Sequence, residues 1–303
     1  MAIYTRKQKN KAPYRHWMVD YNIAAKHFSL RFVGNDEALK RLSGVYATYS
    51  KLLVLDTELV APRLFLSGSV SSGKTSAVRE LAKLLKIPIA TVSAGALSPS
   101  GFKGTNLDDG IKSLIAQAGT VQNLEKYGGL LHLDECDKLL INSQKNDFYE
   151  SIIFNTLGVL GGEAIHIDGD ELDPTGSQVN TQKIIVVLSG AFAWLNESAF
   201  SDSKKSMTTL VREGFPTEFV SRIHDFIHMK KISEKQTQAV IAIESQKLSE
   251  CYRAGKFTPQ ISASKIKFIS REVTKTKLGI RSARRLIGEE LFRQSQAQKE
   301  LTI

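Results

Sequence analysis

An apolar strand followed directly by a glycine-rich loop and a helical segment constrains this chain more than any other feature. The predicted strand is Arg63-Leu-Phe-Leu66, and after it Gly68-Ser-Val-Ser-Ser-Gly-Lys-Thr75 fits the pattern G-x-x-x-x-G-K-[ST] without a mismatch. Glycines allow such a loop to wrap closely around phosphate oxygens, toward which backbone N–H groups and the positive end of the next helix point. The sequence therefore predicts a nucleotide site at this loop.

Each residue of the loop has an expected role at the phosphates. Lys74 supplies a mobile positive charge for the β- and γ-phosphates of ATP, and the Thr75 hydroxyl is placed to bind Mg²⁺. The predicted nucleotide-binding residues are Gly68, Ser69, Val70, Ser71, Ser72, Gly73, Lys74 and Thr75.

A second apolar strand ends in two carboxylates, Leu130-Leu-His-Leu-Asp-Glu135, about 60 residues after the loop. The carboxyl ends of parallel strands form the ligand-binding edge of an open α/β sheet. Asp134 is expected to bind the Mg²⁺ water shell, and Glu135 to polarise the water that attacks the γ-phosphate. Together with the loop, this strand predicts an ATPase that uses ATP and Mg²⁺.

Short apolar segments alternate with helical ones along most of the chain, which is typical of a parallel sheet covered on both faces. A first helix is expected from Asn35 or Asp36, with its apolar residues along one face. The predicted strands cover residues 63–66, 87–92, 130–133 and 184–188, with helices at 107–118 and 149–160.

The pattern changes after Arg222, where amphipathic helices are predicted at 233–253, 262–277 and 279–296. We therefore expect three parts: a basic arm with little periodicity at 1–29, a large α/β nucleotide-binding domain at 30–229, and a small helical lid domain at 230–303.

Six segments, in order, resemble motifs of the Clp-type unfoldase branch of the AAA+ ATPases, the branch of ClpX and HslU. The most specific match is Leu133-Asp-Glu-Cys-Asp-Lys138, which is similar to the D-E-x-D-K of that branch. The resemblance covers residues 30–295 and implies an α/β P-loop core followed by a helical lid. The six segments are Phe32–Ala38, Gly101–Gly104, Leu133–Lys138, Leu188–Phe192, Gly214–Arg222 and Gly279–Arg281.

The resemblance implies further site residues beside the loop and the strand end. Arg222 corresponds to the arginine finger, which acts on the nucleotide of a neighbouring subunit. Arg281 corresponds to sensor 2, and Ser189 lies in the sensor-1 region. Phe32 and Val33 would pack against the adenine.

The residue that says most about the function lies in a short loop flanked by glycines. In the family, an aromatic side chain in this loop projects into the central channel of a hexamer and grips a polypeptide. Phe102 stands at that position here, beside Lys103 where relatives have an apolar residue. The resemblance therefore implies a homo-oligomer, which we expect to be a hexamer, and a protein as its substrate or adaptor.

Two features of the family are absent from the sequence. No cysteine precedes Cys136, so we expect no counterpart of the ClpX zinc-binding domain. The connection from Phe192 to Phe215 lacks the Ile-Gly-Phe tripeptide with which ClpX docks its peptidase. We therefore expect activity independent of ClpP.

Composition excludes several classes of protein. Hydrophobic residues make up 42% and charged residues 24% of the 303 residues, which argues against wholesale disorder. The N-terminus has no apolar signal region, and no apolar run approaches the roughly 20 residues of a membrane span. Two cysteines cannot build a disulfide framework. We expect a cytoplasmic protein that does not enter membranes.

The charge is uneven, which leaves other functions open. Residues 1–33 contain seven Lys or Arg and one acid, and residues 230–303 contain sixteen and seven, whereas the middle of the chain is acidic. Basic ends can attract nucleic acid. The alternatives to a protein remodeller are therefore a DNA-associated AAA+ factor, such as a helicase loader or a recombination or replication regulator, and a dedicated chaperone of one partner.

Overall fold

The computed structural model describes residues 20–55, 58–97, 106–143, 149–168, 176–253, 257–275 and 280–300. Its strands are β1 (Arg63–Ser67), β2 (Ile89–Ser93), β3 (Gly129–Asp134), β4 (Ala164–Ile167), β5 (Ser177–Asn180), β6 (Ile184–Gly190) and β7 (Asp225–His228). Its helices are α1 (Tyr21–Ser29), α2 (Asp36–Leu55), α3 (Lys74–Leu85), α4 (Leu107–Ala118), α5 (Val121–Tyr127), α6 (Asp137–Ser143), α7 (Tyr149–Gly161), α8 (Ser203–Glu213), α9 (Thr217–Ser221), α10 (Glu234–Cys251), α11 (Ala263–Lys275) and α12 (Ile280–Glu300).

A five-stranded sheet in the order β2-β3-β6-β1-β7 forms the centre of the large domain, and every neighbouring pair is parallel. All residues of β1 and β6 are buried, which explains why these strands are apolar without polar alternation. The predicted α/β class with a parallel sheet is confirmed.

Alternate residues of the central strands pack into two separate cores. On one face, Leu64 and Leu66 of β1 pack with α1, α2 and α3. On the other face, Phe65 packs with the helices from α4 to α9. The period of two along a strand thus places helices on both sides of the sheet. The predicted inward residues of the first long helix, Leu39, Leu42, Val45, Tyr46 and Tyr49, are all buried.

The prediction of an arm over residues 1–29 is wrong at its C-terminal end. Residues 21–29 form helix α1, whose N-cap Asp20 accepts a hydrogen bond from the backbone N–H of Asn22. Ala24 and Phe28 are fully buried against α2 and α3. Two buried residues one helical turn apart give a weak periodic signal in a polar sequence, and tertiary contact stabilises the helix. Residues 1–19 lie outside the described ranges.

The sequence pattern missed β7 and the antiparallel pair β4–β5. Strand β7 is only four residues long and follows the Arg222 segment directly. In β4 and β5, three of the four residues in each strand are not buried, so neither carries the apolar run of a central strand. Short, half-exposed strands are recognised by their pairing, which one segment alone does not reveal.

The last three helices build a small core of their own. Ile241 of α10, Ile269 of α11 and Ile287 of α12 are fully buried together. Seven of the described basic residues of this region face a carboxylate on the same or a neighbouring helix; the pairs are Lys247–Glu244, Lys265–Glu290, Arg271–Glu234, Lys275–Glu272, Arg284–Glu244, Arg285–Glu289 and Arg293–Glu290. The domain boundaries at 29 and 229 otherwise stay a prediction.

Arg63 is fully buried at the start of β1 and donates hydrogen bonds to backbone carbonyls. Its acceptors are the carbonyls of Ala61, Val159, Leu160, Thr181 and Ile184. Burial lowers the pKa of Arg63 to about 10, so the guanidinium stays charged at neutral pH. It joins the nucleotide-binding strand to the C-terminal end of α7 and to the segment before β6.

We expect Arg63→Met to lower the free energy of unfolding by at least about 3 kcal/mol, because several buried carbonyls lose their donor at once. Urea denaturation followed by circular dichroism measures the change. Arg212→Met is the matched control, since the Arg212 side chain is 67% exposed, and it should change stability by less than about 0.5 kcal/mol. Equal stability of the two variants would contradict the assigned role.

None of the helices in the described part of the chain has the length and apolarity needed to cross a membrane.

Candidate nucleotide site

The glycine-rich loop connects the end of β1 at Ser67 to the start of α3 at Lys74. Gly68 and Gly73 have φ values of 145° and 100°, in the region that favours glycine. The carbonyl of Met229 lies where a Cβ of residue 68 would stand, so only glycine fits there. Both glycine positions of the predicted pattern thus have a backbone reason to be glycine.

Lys74 spans the loop from within. Its Nζ donates hydrogen bonds to the carbonyls of Gly68 at 2.6 Å and Ser69 at 3.0 Å. Burial lowers the pKa of Lys74, an effect that the nearby Asp134 carboxylate opposes. The ammonium group therefore lies inside the concave side of the loop, where phosphate oxygens would replace the carbonyls as its partners.

Three serine hydroxyls of the loop support the phosphate assignment. The Oγ atoms of Ser69, Ser71 and Ser72 are buried and, among the described residues, have no hydrogen-bond partner. Buried hydroxyls without partners are costly, and phosphate oxygens are strong acceptors for them. The residues present therefore fit the phosphates of a nucleotide.

Thr75 and Asp134 come together although they are far apart in sequence. The Thr75 hydroxyl donates to Oδ2 of Asp134 at 2.9 Å. A hydroxyl and a carboxylate side by side are the oxygen donors that Mg²⁺ prefers, and Mg²⁺ usually completes its octahedron with water and phosphate oxygens. In the described part of the chain no cluster of three or more His, Cys, Asp or Glu could bind a metal by itself. The pair thus fits magnesium bound together with a nucleotide.

Ser189 reaches the same carboxylate from the neighbouring strand. Its hydroxyl donates to Oδ1 of Asp134 at 2.6 Å. Burial by itself would raise the pKa of Asp134, but the hydrogen bond from Ser189, the nearby His132 and the bond from Thr75 outweigh it and lower the pKa. Ser189, predicted in the sensor-1 region, therefore helps to keep Asp134 ionised and oriented.

His132 is a member of this site that sequence reasoning missed. Its Nε2 lies 2.8 Å from the Ser189 hydroxyl, and its ring is fully buried in β3. Because Ser189 donates to Asp134, Nε2 of His132 is the donor in the other bond. Burial lowers the pKa of His132 to about 4, so the ring is neutral at physiological pH. The available signal was a single polar residue inside the apolar run Leu130–Leu133.

Glu135 follows β3 at a sharp turn with φ of 61°, a left-handed conformation that few non-glycine residues adopt. Its Oε2 accepts hydrogen bonds from the Ser93 hydroxyl at 3.1 Å and from Nζ of Lys138 at 2.6 Å. The side chain is 47% exposed. The predicted base therefore lies at the surface, beside Asp134 at the carboxyl end of the sheet.

The predicted adenine-side residues and sensor 2 lie near the loop. The ring of Phe32 comes within 3.8 Å of the position that a Cβ on Gly73 would occupy, and Phe32 and Val33 are half-buried. Arg281, at the start of α12, is close enough to Lys74 to contribute to lowering its pKa. These placements agree with the predicted roles, which stay predictions.

Arg222 lies near the N-terminal ends of the strands, whereas the loop follows the C-terminal end of β1. It precedes β7, and β7 runs parallel to β1 with Asp225 beside Leu64, near the start of β1. The loop follows the end of β1, so about five residues of strand, roughly 16 Å, separate the two edges. Arg222 therefore does not reach the loop of its own subunit.

Three groups of the same subunit bind the Arg222 guanidinium. It donates to the carbonyl of Leu157 and to Glu218 at 2.8 Å, and Glu163 lies 3.4 Å away. It also borders an open cavity of about 490 Å³ that includes the 74% exposed side chain of Phe154. Arg222, whose side chain is 27% exposed, therefore lies at an open face away from the phosphate loop of the same chain.

The predicted channel residues Phe102 and Lys103 lie outside the described residues, as do Gly101, Gly104 and Gly279. Their roles stay predictions.

Comparison with known proteins agrees with this geometry. Residues 64–194 match the family described as "ATPase family associated with various cellular activities (AAA)". Residues 64–194 are an AAA ATPase domain. This AAA domain runs from β1 to beyond β6 and so contains the loop, Asp134, Glu135 and Ser189. The family implies ATP binding, and the predicted P-loop ATPase fold is confirmed.

Relatives named as the ATP-binding subunit ClpX of the ATP-dependent Clp protease extend the similarity beyond the AAA domain. ClpX of Azotobacter vinelandii is 30% identical over 210 residues, which are 63% of this chain and 47% of the relative. ClpX of Bacteroides thetaiotaomicron is 28% identical over 174 residues, 53% of this chain and 42% of the relative. ClpX of Bacteroides fragilis is 28% identical over 185 residues, 56% and 44% respectively.

The resemblance to a Clp-type AAA+ ATPase is therefore confirmed. The matched part of the chain spans a little under half the length of these ClpX relatives.

Proposed function

We propose that this chain is an ATP-hydrolysing AAA+ protein remodeller that works as a ring of identical subunits. The observation that carries the proposal is the separation of Arg222 from its own glycine-rich loop. The loop, Asp134 and Glu135 lie at the C-terminal ends of the strands, and the arginine lies near their N-terminal ends. A complete site therefore needs a second copy of the chain. A repeated head-to-tail contact forms a ring when its rotation closes, and we infer a closed ring, a hexamer, from the family resemblance.

The described residues divide the work of hydrolysis among them. Lys74 and the loop amides would bind the phosphates, and Thr75 with Asp134 would hold a magnesium ion, which would neutralise phosphate charge. Glu135 accepts the proton of the attacking water. Arg222 of the neighbouring subunit stabilises the charge that develops on the γ-phosphate.

A protein substrate is supported by the ClpX relatives and by Phe102 in the glycine-flanked loop. A flat apolar side chain can grip many polypeptide sequences without selecting one. Independence of ClpP is supported by the connection between Phe192 and Phe215, which contains helix α8 and has no Ile-Gly-Phe tripeptide. We place this activity in the cytoplasm.

The DNA-associated alternative depends on the basic ends of the chain. In the described part of residues 230–300, seven lysines and arginines lie within 4 Å of a carboxylate of the same region. Cations already paired in this way release fewer counterions on binding to DNA. The charge of the helical region is thus a weaker argument for nucleic acid than its composition implies, and protein remodelling is favoured over DNA binding.

The test compares the ATPase rate with an unfolded protein and with DNA. We expect the rate to rise severalfold with unfolded protein and to stay unchanged with single- or double-stranded DNA. Phe102→Ala should keep the basal rate and lose the response to protein, because the motor is intact and the grip is not. Stimulation by DNA alone would contradict the proposal, and so would a Phe102→Ala variant that still remodels protein.

A further inference from the structure

A lysine one turn after the catalytic carboxylate is bonded to it directly. Nζ of Lys138 lies 2.6 Å from Oε2 of Glu135, and the Ser93 hydroxyl donates to the same oxygen at 3.1 Å. Resting on the function proposed above, we propose that Lys138 is a positioning residue for ATP hydrolysis: it fixes the Glu135 carboxylate so that its other oxygen faces the attacking water.

The lysine itself is held along its stem. A Cβ added to Gly95 would lie 2.7 Å from Cδ and 2.8 Å from Cβ of Lys138, so the aliphatic part of the side chain runs closely over that glycine. The backbone N–H of Lys138 also donates to the Glu135 carbonyl at 2.9 Å, which closes the turn between β3 and α6. These contacts hold the stem of the side chain beside Gly95 and so keep the ammonium group close to the carboxylate.

The geometry of Glu135 makes such a contact necessary. Its backbone has a left-handed φ of 61°, and its side chain is about half exposed. An exposed carboxylate samples several rotamers. Two donors on one oxygen remove that freedom, and within the described residues no bond uses Oε1, which stays available to accept a proton from water.

The effect of removing Lys138 on stability can be separated from its effect on turnover. Both side chains are about half exposed, at 49% for Lys138 and 47% for Glu135. Pairs exposed to this degree contribute little to stability. Removal of Lys138 is therefore expected to leave the unfolding midpoint nearly unchanged, so a loss of turnover would report orientation rather than unfolding.

The experiment measures kcat, KM and the dissociation constant for a fluorescent ATP analogue with the full chain. We expect Lys138→Met to lower kcat about tenfold and to leave nucleotide affinity within twofold of the unchanged protein. Lys138→Arg should recover most of kcat, because a guanidinium can donate to the same oxygen. Lys205→Met is the matched control: Lys205 also forms an i,i+3 pair, with Asp202 at 3.8 Å, far along the chain from the site, and its kcat should not change.

Three results would overturn the inference: an unchanged or raised kcat in Lys138→Met, a parallel loss of nucleotide affinity, or failure of Lys138→Arg to recover. Glu135→Gln, measured in parallel, separates this inference from the proposed function. If Glu135→Gln is inactive and Lys138→Met is fully active, only the role of the lysine is wrong. If Glu135→Gln turns over ATP normally, the proposed base itself is wrong.

Discussion

Glu135→Gln is expected to lower ATP turnover at least about 100-fold while ATP remains bound. The amide cannot accept the proton of the attacking water, and general-base catalysis contributes about 10²–10⁴-fold. The phosphate contacts of Lys74 and the loop stay in place, because Glu135 makes none of the described bonds to the loop. Steady-state ATPase assays and binding of a fluorescent ATP analogue measure the two effects separately.

Glu150→Gln is the matched control for that experiment, since Glu150 is an exposed carboxylate in the first turn of α7. Its turnover should equal that of the unchanged protein. The inactive Glu135→Gln ring should also retain protein substrates in ATP, so affinity purification with it identifies what the ring acts on. Comparable turnover with Gln at position 135 would rule out the catalytic assignment.

Arg222→Ala is expected to lower turnover on the order of 10³-fold with nearly unchanged ATP affinity. An arginine supplied by a neighbouring subunit acts on the charge of the transition state, and such fingers contribute about 10³–10⁵-fold. ATP binding uses the loop at the other edge of the sheet, which Arg222 does not contact. Arg212→Ala, at an exposed arginine that faces Glu213, should keep full activity.

A mixing experiment tests whether Arg222 acts between subunits. Rings assembled from Arg222→Ala and Glu135→Gln subunits should regain activity that neither variant has alone. In a mixed ring, some sites combine Glu135 of one subunit with Arg222 of the next. No recovery in mixed rings, or full turnover by a dilute monomer, would show that the arginine acts within its own subunit.

Because of the same separation, we expect ATP turnover to depend on protein concentration. Assembly completes each site, so the rate per subunit should rise with concentration until rings are saturated. Glu163 and Glu218 pair with Arg222 within one chain, and in the proposed ring phosphate oxygens of the neighbour's nucleotide would replace them.

Strand and helix positions near the loop could be predicted because local pattern and tertiary role agree there. The four predicted strands became β1, β2, β3 and β6, with ends shifted by no more than two residues. The helices at 107–118 and 149–160 became α4 and α7. Helix α1 could not be predicted in the same way, because its burial of Ala24 and Phe28 depends on α2 and α3.

The sequence by itself was enough to predict the chemistry of the site. Each residue type has a separate role at a phosphate, and this applies to the spaced glycines, Lys74, Thr75 and the two carboxylates at the end of β3. The tertiary structure alone decided which groups surround those carboxylates. His132 and Ser189 are 57 residues apart and meet through the pairing of β3 with β6. Strand order is a property of the whole sheet, since it follows from packing both faces. The tertiary structure also decided that Arg222 lies near the N-terminal ends of the strands, away from the loop at their C-terminal ends.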